Sequence, residues 1–256
     1  MSDLQVSVCD AVLQVRIARP ERHNALSRST LAEIRAAFAA HAADPGLKAA
    51  VLTGTGDASF AAGGDLRDLA VVRERGEAEV MVRDARAALT AVREFPLPVI
   101  AALNGRAIGG GAELATSCDF RIATAQASLG YVHGKLGISS QWGGGTALVD
   151  LLGPHKALYA MASGTVFGAR AALELGLVDV VCEPGETLED AVQAFLAPML
   201  AMAPQVLRAA KSQVLAAQRG VPAVERVAME LDNAVDTWLH PDHWTAADRV
   251  LKPRPS

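Results

Sequence analysis

Four short runs of apolar residues constrain this chain more than any other feature. Ala49 to Thr53 and Pro98 to Leu103 are apolar without alternation, the pattern of strands that a parallel sheet buries on both faces. Phe120 to Ala123 and Leu177 to Val181 read the same way. Between and after them, apolar spacing predicts helices over Glu77 to Glu94, Gly111 to Ser117, Thr146 to Leu152, Lys156 to Ala162 and Ala169 to Leu175. Strand alternating with helix at this spacing predicts an α/β fold with parallel strands. Upstream, Val12 to Ile17 reads as a further strand. A helix follows from about Thr30, where Thr30 and Glu33 have the spacing of a capping box and Leu31, Ile34 and Phe38 recur at helical intervals.

From Thr187 the pattern changes. Thr187 to Met202, Pro204 to Arg219 and Pro222 to Leu239 read as helices separated by Pro or Gly, and no strand is expected among them. The organisation expected is a core over 1–195 and a helical C-terminal region over 196–256. Three terminal helices bury little apolar surface alone, so they are expected to pack on the core or on another subunit.

With 256 residues, 51% of them hydrophobic, the chain can bury one sizeable core. A net charge of −4 argues against a nucleic-acid binder, which would carry a basic stripe. Cys9, Cys118 and Cys182 are isolated, with no CxxC pair, and suit neither a disulfide framework nor a zinc site. His240-Pro241-Asp242-His243 is a poor metal pair because Pro intervenes. No secretory leader and no long apolar run is evident, so a cytoplasmic protein with no membrane partner is expected.

Two glycine-rich segments carry the chemistry. Phe60-Ala61-Ala62-Gly63-Gly64-Asp65-Leu66 follows the strand at Ala49 to Thr53, and Gly105 to Leu114 follows the strand at Pro98 to Leu103 and opens a helix. Ligands of open α/β sheets gather at the carboxyl ends of strands. Glycine lets the backbone approach a ligand, and a helix start offers free N–H groups to a developing oxyanion. The segments do not spell a phosphate-binding P-loop, a dinucleotide fingerprint or a nucleophile elbow.

The pairing of FAAGGDL (60–66) with GRAIGGGAEL (105–114) resembles the enoyl-CoA hydratase/isomerase, or crotonase, family. The resemblance covers nearly the whole chain. It includes Arg19-Pro20-Glu21-Arg22-His23-Asn24-Ala25-Leu26, the stretch from Cys118 to Ala123, Leu136-Gly137 through Gly144, and Ala171 to Asp179. It implies a crotonase-like ββα spiral core and a thioester enolate stabilised by the N–H groups of Gly64 and Gly110. It also implies a coenzyme A substrate lying along Arg22, Ala25, Ala62 and Leu66, no cofactor beyond the coenzyme A of that substrate, and trimers or pairs of trimers. Asp65 follows the first donor; it is a candidate substrate contact or a brace for the loop.

Glu113, one helical turn after Gly110, matches one of the two carboxylates that hydratases of the family use as acid and base. The second is missing: its position holds His133. An imidazole can exchange protons near neutral pH, or act only as a hydrogen-bonding group. Tyr131 and Trp142 are candidate walls or contacts of the acyl group, and packing residues otherwise. Lys211 is expected to be an exposed helix position, with a contact to coenzyme A as the alternative. The activity expected is hydration of a 2-enoyl-CoA. Isomerisation, decarboxylation or C–C hydrolysis through Glu113 and His133 is the alternative, and a non-catalytic acyl-CoA binder is a third reading.

Overall fold

A computed structural model, which describes residues 2–251, builds three of the four apolar runs into the middle of a six-stranded sheet and part of the fourth into its edge. In chain order the strands are β1 (Leu4–Cys9), β2 (Val12–Ile17), β3 (Ala49–Gly54), β4 (Ser59–Ala61), β5 (Val99–Leu103), β6 (Arg106–Ile108), β7 (Phe120–Ala123), β8 (Ser128–Gly130), β9 (Val166–Gly168) and β10 (Val180–Val181). The helices are α1 (Arg28–His41), α2 (Leu66–Leu69), α3 (Arg75–Arg93), α4 (Gly110–Ser117), α5 (Gly144–Leu152), α6 (Pro154–Ser163), α7 (Ala169–Leu175), α8 (Leu188–Leu200), α9 (Pro204–Gln218), α10 (Ala223–Leu239) and α11 (Pro241–Leu251).

The larger sheet has the order β1-β2-β3-β5-β7-β10 and is parallel except for its edge, where β1 runs antiparallel to β2. Sequence patterning misses β1 because only Leu4 of its six residues is buried. Its turn is made by Asp10 and Ala11, both at positive φ, without the glycine that usually marks such a hairpin. A second sheet, β4-β6-β8-β9, is built from three-residue strands too short to show a period. Both glycine-rich segments pass through this second sheet.

A continuous apolar strand divides its side chains between two faces, because successive residues point in opposite directions. Leu13, Val15, Ala50, Leu52, Val99 and Ala101 join the main core with Ile34, Phe38 and Leu89 of α1 and α3. Val12, Ala49, Val51, Ile100, Ala102 and Ile122 face the other way, onto Ala191, Val192 and Leu196 of α8. The line drawn between 195 and 196 therefore falls inside a helix whose buried face covers the sheet.

Some elements differ from expectation for local reasons. The first helix starts at Arg28, not Thr30: Ser27 caps it, its Oγ accepting the Thr30 N–H at 3.1 Å. Glu33 makes no capping box and instead accepts the Asp3 N–H at 3.1 Å. Of Leu177 to Val181, only Val180 and Val181 pair as a strand. The Leu177 and Val178 N–H groups donate to Ala172 O at the end of α7. The C-terminal region holds a fourth helix, α11. Among the described residues no single helix is long and apolar enough to cross a membrane.

Lys211 on α9 is buried, not exposed: its Nζ lies 2.5 Å from both carboxylate oxygens of Asp119. Asp119 also accepts the Val99 N–H at 2.8 Å, so this pair pins α9 to the entry of β5 and β7. Removing one partner of a buried pair leaves the other charge unmatched, at about 3–5 kcal/mol. Asp119 keeps some solvent access, so Lys211→Ala is expected to lower unfolding free energy by about 3 kcal/mol, the bottom of that range. Urea titration, with wild-type protein as reference, checks this.

Candidate active site

Tight backbone pairing places the two glycine-rich segments side by side. The Leu26 N–H donates to Gly63 O at 2.8 Å and the Asp65 N–H donates to Leu26 O at 2.9 Å. Gly64 sits in that bridge with its own N–H unengaged. β6 lies between β4 and β8, and the Gly109 N–H donates to Gly130 O at 2.9 Å. Gly109 then turns the chain into α4 at φ 56 and ψ −121, a conformation for which a side chain is poorly suited. Gly110 is the first residue of α4, so its N–H has no intrahelical acceptor. Among the described residues neither the Gly64 nor the Gly110 N–H donates to any acceptor. The segments are close: a methyl carbon built on Gly63 would lie 3.8 Å from Gly110 N.

Asp65 caps α2, accepting the Arg67 N–H at 3.1 Å, and pairs with Arg19 Nη2 at 2.9 Å. Burial alone would raise its carboxyl. The hydrogen bonds from Arg19 and Arg67, and the Arg19 charge, outweigh that and hold it below its ordinary value of 3.8. Asp65 thus braces the first donor loop and is not among the residues that line the cavity there.

Glu113, in the first turn of α4, is fully buried. Its Oε1 accepts from Ser140 Oγ at 2.6 Å, Trp142 N at 3.0 Å and Gly144 N at 3.1 Å. Its Oε2 lies 3.0 Å from His133 Nε2. Gly144 opens α5, so one carboxylate occupies the N-terminus of a second helix, where free N–H groups and the helix dipole favour an anion. Any side chain at Gly144 would overlap Cβ and Cγ of Glu113. Three donors converge on Oε1, and an N–H on His133 Nε2 would supply a fourth, to Oε2. His133 Nδ1 makes no hydrogen bond among the described residues.

A cavity of about 110 Å³ connects these groups, bounded by Gly64, Gly110, Glu113, His133 and Trp142, with Ala62 and Leu66 also lining it. The Trp142 ring lies against both donor glycines. A methyl on Gly64 would meet its Cη2 at 3.1 Å, and one on Gly110 would overlap Cζ3. Tyr131 does not offer its hydroxyl to this space: the group is buried between Thr116 Oγ1 at 2.6 Å and Gly144 O at 3.1 Å, and burial pushes its pKa up. Arg22 and Ala25 are also absent from the cavity wall. Their segment borders the donor loop, with the Ala62 N–H donating to His23 O at 3.1 Å. A larger cavity, about 500 Å³, lies between α5 and α9 against Asp119 and Lys211 and contains neither donor glycine. Ser140 is the residue that sequence reading missed. It stands 27 positions from Glu113, and nothing in its neighbourhood marks it as a carboxylate partner.

Two unengaged N–H groups converging on a small cavity, with a buried proton-carrying pair in its wall, define an enzyme that stabilises an oxyanion. A family model for enoyl-CoA hydratase/isomerase matches residues 8–246, and the chain belongs to that family. It is 38% identical over 174 residues to a crotonyl-CoA hydratase of Syntrophomonas wolfei, a match covering 68% of this chain and 66% of that protein. It is 30% identical over 197 residues to an ethylmalonyl-CoA decarboxylase of Bos taurus, covering 76% of this chain and 64% of that one. The crystal structure of an enoyl-CoA hydratase from Bacillus anthracis superposes with a TM-score of 0.89 at 29% identity, covering 96% of this chain and 95% of that one. The crotonase fold expected from the glycine-rich motifs is therefore the fold of this chain.

Trp142 leaves no space over the second donor. Gly110→Ala is expected to force the indole aside at a cost of about 1–3 kcal/mol, the usual range for overpacking. Thermal unfolding together with tryptophan fluorescence checks this, with a lower melting temperature and an altered emission maximum as the expected pair of results.

Proposed function

We propose that this enzyme adds water to a 2-enoyl-CoA thioester, with Gly64 and Gly110 as oxyanion donors and His133, held by Glu113, as the proton-transfer group. The observation that carries the reading is the Glu113–His133 pair beside two unengaged N–H groups. The thioester oxygen would accept from both N–H groups. Water would lose a proton to His133 Nδ1 as its oxygen bonds to Cβ, and the electrons would move onto the thioester as an enolate. The imidazolium, stabilised by the Glu113 carboxylate, would return a proton to Cα. Glu113 then acts through His133 in this scheme, because Oε1 is already saturated by three donors. Coenzyme A is proposed to run along Arg22, Ala25, Ala62 and Leu66, the surface where the two segments meet. This chemistry uses protein groups alone, with coenzyme A present only as part of the substrate.

Val227, Leu231, Val235 and Trp238 on α10 are exposed, and α10 has no buried residue in the single chain. We propose that this face is covered by other copies in a trimer or a pair of trimers, and that the protein works in the cytoplasm.

One feature favours a second reading, decarboxylation of an acyl-CoA with a carboxylate on its α-carbon. The site offers one proton-transfer group, and decarboxylation needs only one. The C–C bond breaks, CO₂ leaves, the pair of electrons enters the same enolate, and His133 protonates Cα. Mass spectrometry of products from crotonyl-CoA and ethylmalonyl-CoA separates the two.

Glu113→Gln can keep the three contacts to its oxygen, so it is expected to fold. Loss of the anion behind His133 is expected to lower kcat by about 10²–10⁴, the worth of acid–base catalysis. His133→Gln should match it within about tenfold, because the two act as a unit. Steady-state kinetics with both variants, after circular dichroism confirms folding, is the check. His133→Glu installs a second carboxylate; hydration rising well above wild type would count for the decarboxylase reading.

A further inference from the structure

The thioester cavity has two neighbours, and they differ in chemistry. Toward α1 and α3 lies a cavity of about 380 Å³, and the two share only Leu69 and Trp142 as wall residues. The buried Trp142 indole separates them. On the other side lies a cavity of about 420 Å³ that shares His133, Ile138 and Gln141 with the thioester cavity. Its wall is mixed: Ser139, Ser140, Gln141 and Thr146 line it beside Ile138, Leu158 and Met161, with Arg86 of α3 as its only Lys or Arg and no Asp or Glu among the described residues. Arg86 makes no hydrogen bond or ion pair among the described residues, whereas Arg75 and Arg93 of the same helix pair with Glu79 and Asp150. Gln141 is likewise without a partner in the side-chain hydrogen-bond network, and its position between the two cavities leaves its amide available to a bound molecule.

The thioester cavity itself, at about 110 Å³, holds roughly four water-sized groups, enough for the reacting carbons and little more. Anything further along the acyl group must enter one of the neighbours. The indole blocks the way between α1 and α3, and the way past His133 and Gln141 ends at an unpaired guanidinium. The chamber's apolar side chains can take the methylenes of an acyl chain, and a carboxylate reaching Arg86 would meet a planar donor fork suited to it.

We propose that the acyl group of the substrate carries a second, anionic terminus, and that Arg86, assisted by Gln141, recognises it. The substrate class is a dicarboxylyl-CoA thioester. The inference rests on the acyl-CoA reading of the site, and it holds for hydration and decarboxylation alike.

Calorimetric titration of unreactive thioesters tests it without turnover: succinyl-CoA and glutaryl-CoA against butyryl-CoA and hexanoyl-CoA, with wild type, Arg86→Ala and Arg86→Lys. Arg86 is on an exposed helix position, so both variants are expected to fold. Wild type should bind at least one of the two dicarboxylyl thioesters at least tenfold more tightly than butyryl-CoA. Arg86→Ala should lower that ratio at least tenfold, and Arg86→Lys should restore part of it. Equal loss for all four thioesters would mean that Arg86 meets coenzyme A, and would overturn the proposal. So would a wild-type preference for hexanoyl-CoA, or no preference. Binding of no thioester at all would overturn the acyl-CoA reading as well, which keeps the two failures distinguishable.

Discussion

The buried carboxylate of Glu113 holds the centre of this structure together. An ionised side chain without solvent is costly unless its lone pairs are matched, and here four donors match them. Those donors come from three places: the 3₁₀ turn bearing His133, the loop of Ser140 and Trp142, and the start of α5. One side chain therefore fixes the imidazole, the indole wall and a helix at once. Networks of this kind are rigid when complete and expensive when any member is lost.

The scaffold supplies what that network needs. The second sheet brings the Gly64 and Gly110 segments alongside each other through short strands, and backbone hydrogen bonds on both sides of Gly64 immobilise it while leaving its N–H free. A donor held this way needs no reorganisation as charge develops, which is the source of oxyanion stabilisation. Asp65 and Arg19 serve the same end by tying the donor loop to the segment before α1. Trp142 is the exception to full satisfaction. Its Nε1 is buried without a partner, an arrangement that costs about 1–3 kcal/mol. The ring is held by packing on the two glycines and by its backbone bond to Glu113.

Replacing a second carboxylate by His133 alters what Glu113 can do. Two carboxylates can share a water between them. In the proposed mechanism the carboxylate paired to an imidazole is the orienting member of a dyad, and the imidazole is the group that meets the reacting atoms. In the proposed scheme the same oxyanion geometry serves reactions that need one proton-transfer site, and the chamber beside His133 would receive the rest of the acyl group.

Much of this was legible in the chain. Unalternating apolar runs mark strands with both faces buried, and β3, β5 and β7 lie where those runs are. The family resemblance pointed to Gly64, Gly110 and Glu113, and the structure puts all three around one cavity, with glycine required by the turn at Gly109 and by the Trp142 ring packed on Gly110. Other features leave no local trace. β1 is an exposed edge strand, and β4, β6, β8 and β9 are too short to show a period. Lys211 reads as an exposed helix position until Asp119, 92 residues away, is brought against it. Tyr131 reads as a substrate contact until folding turns its hydroxyl toward Thr116 and Gly144. Sequence alone determined the family and where the two glycine-rich segments lie, since both are written in short motifs. Only the tertiary structure decided that Glu113 Oε1 is saturated and that Oε2 is paired with His133, because hydrogen-bond partners 20 to 31 residues apart are chosen by packing and not by spacing.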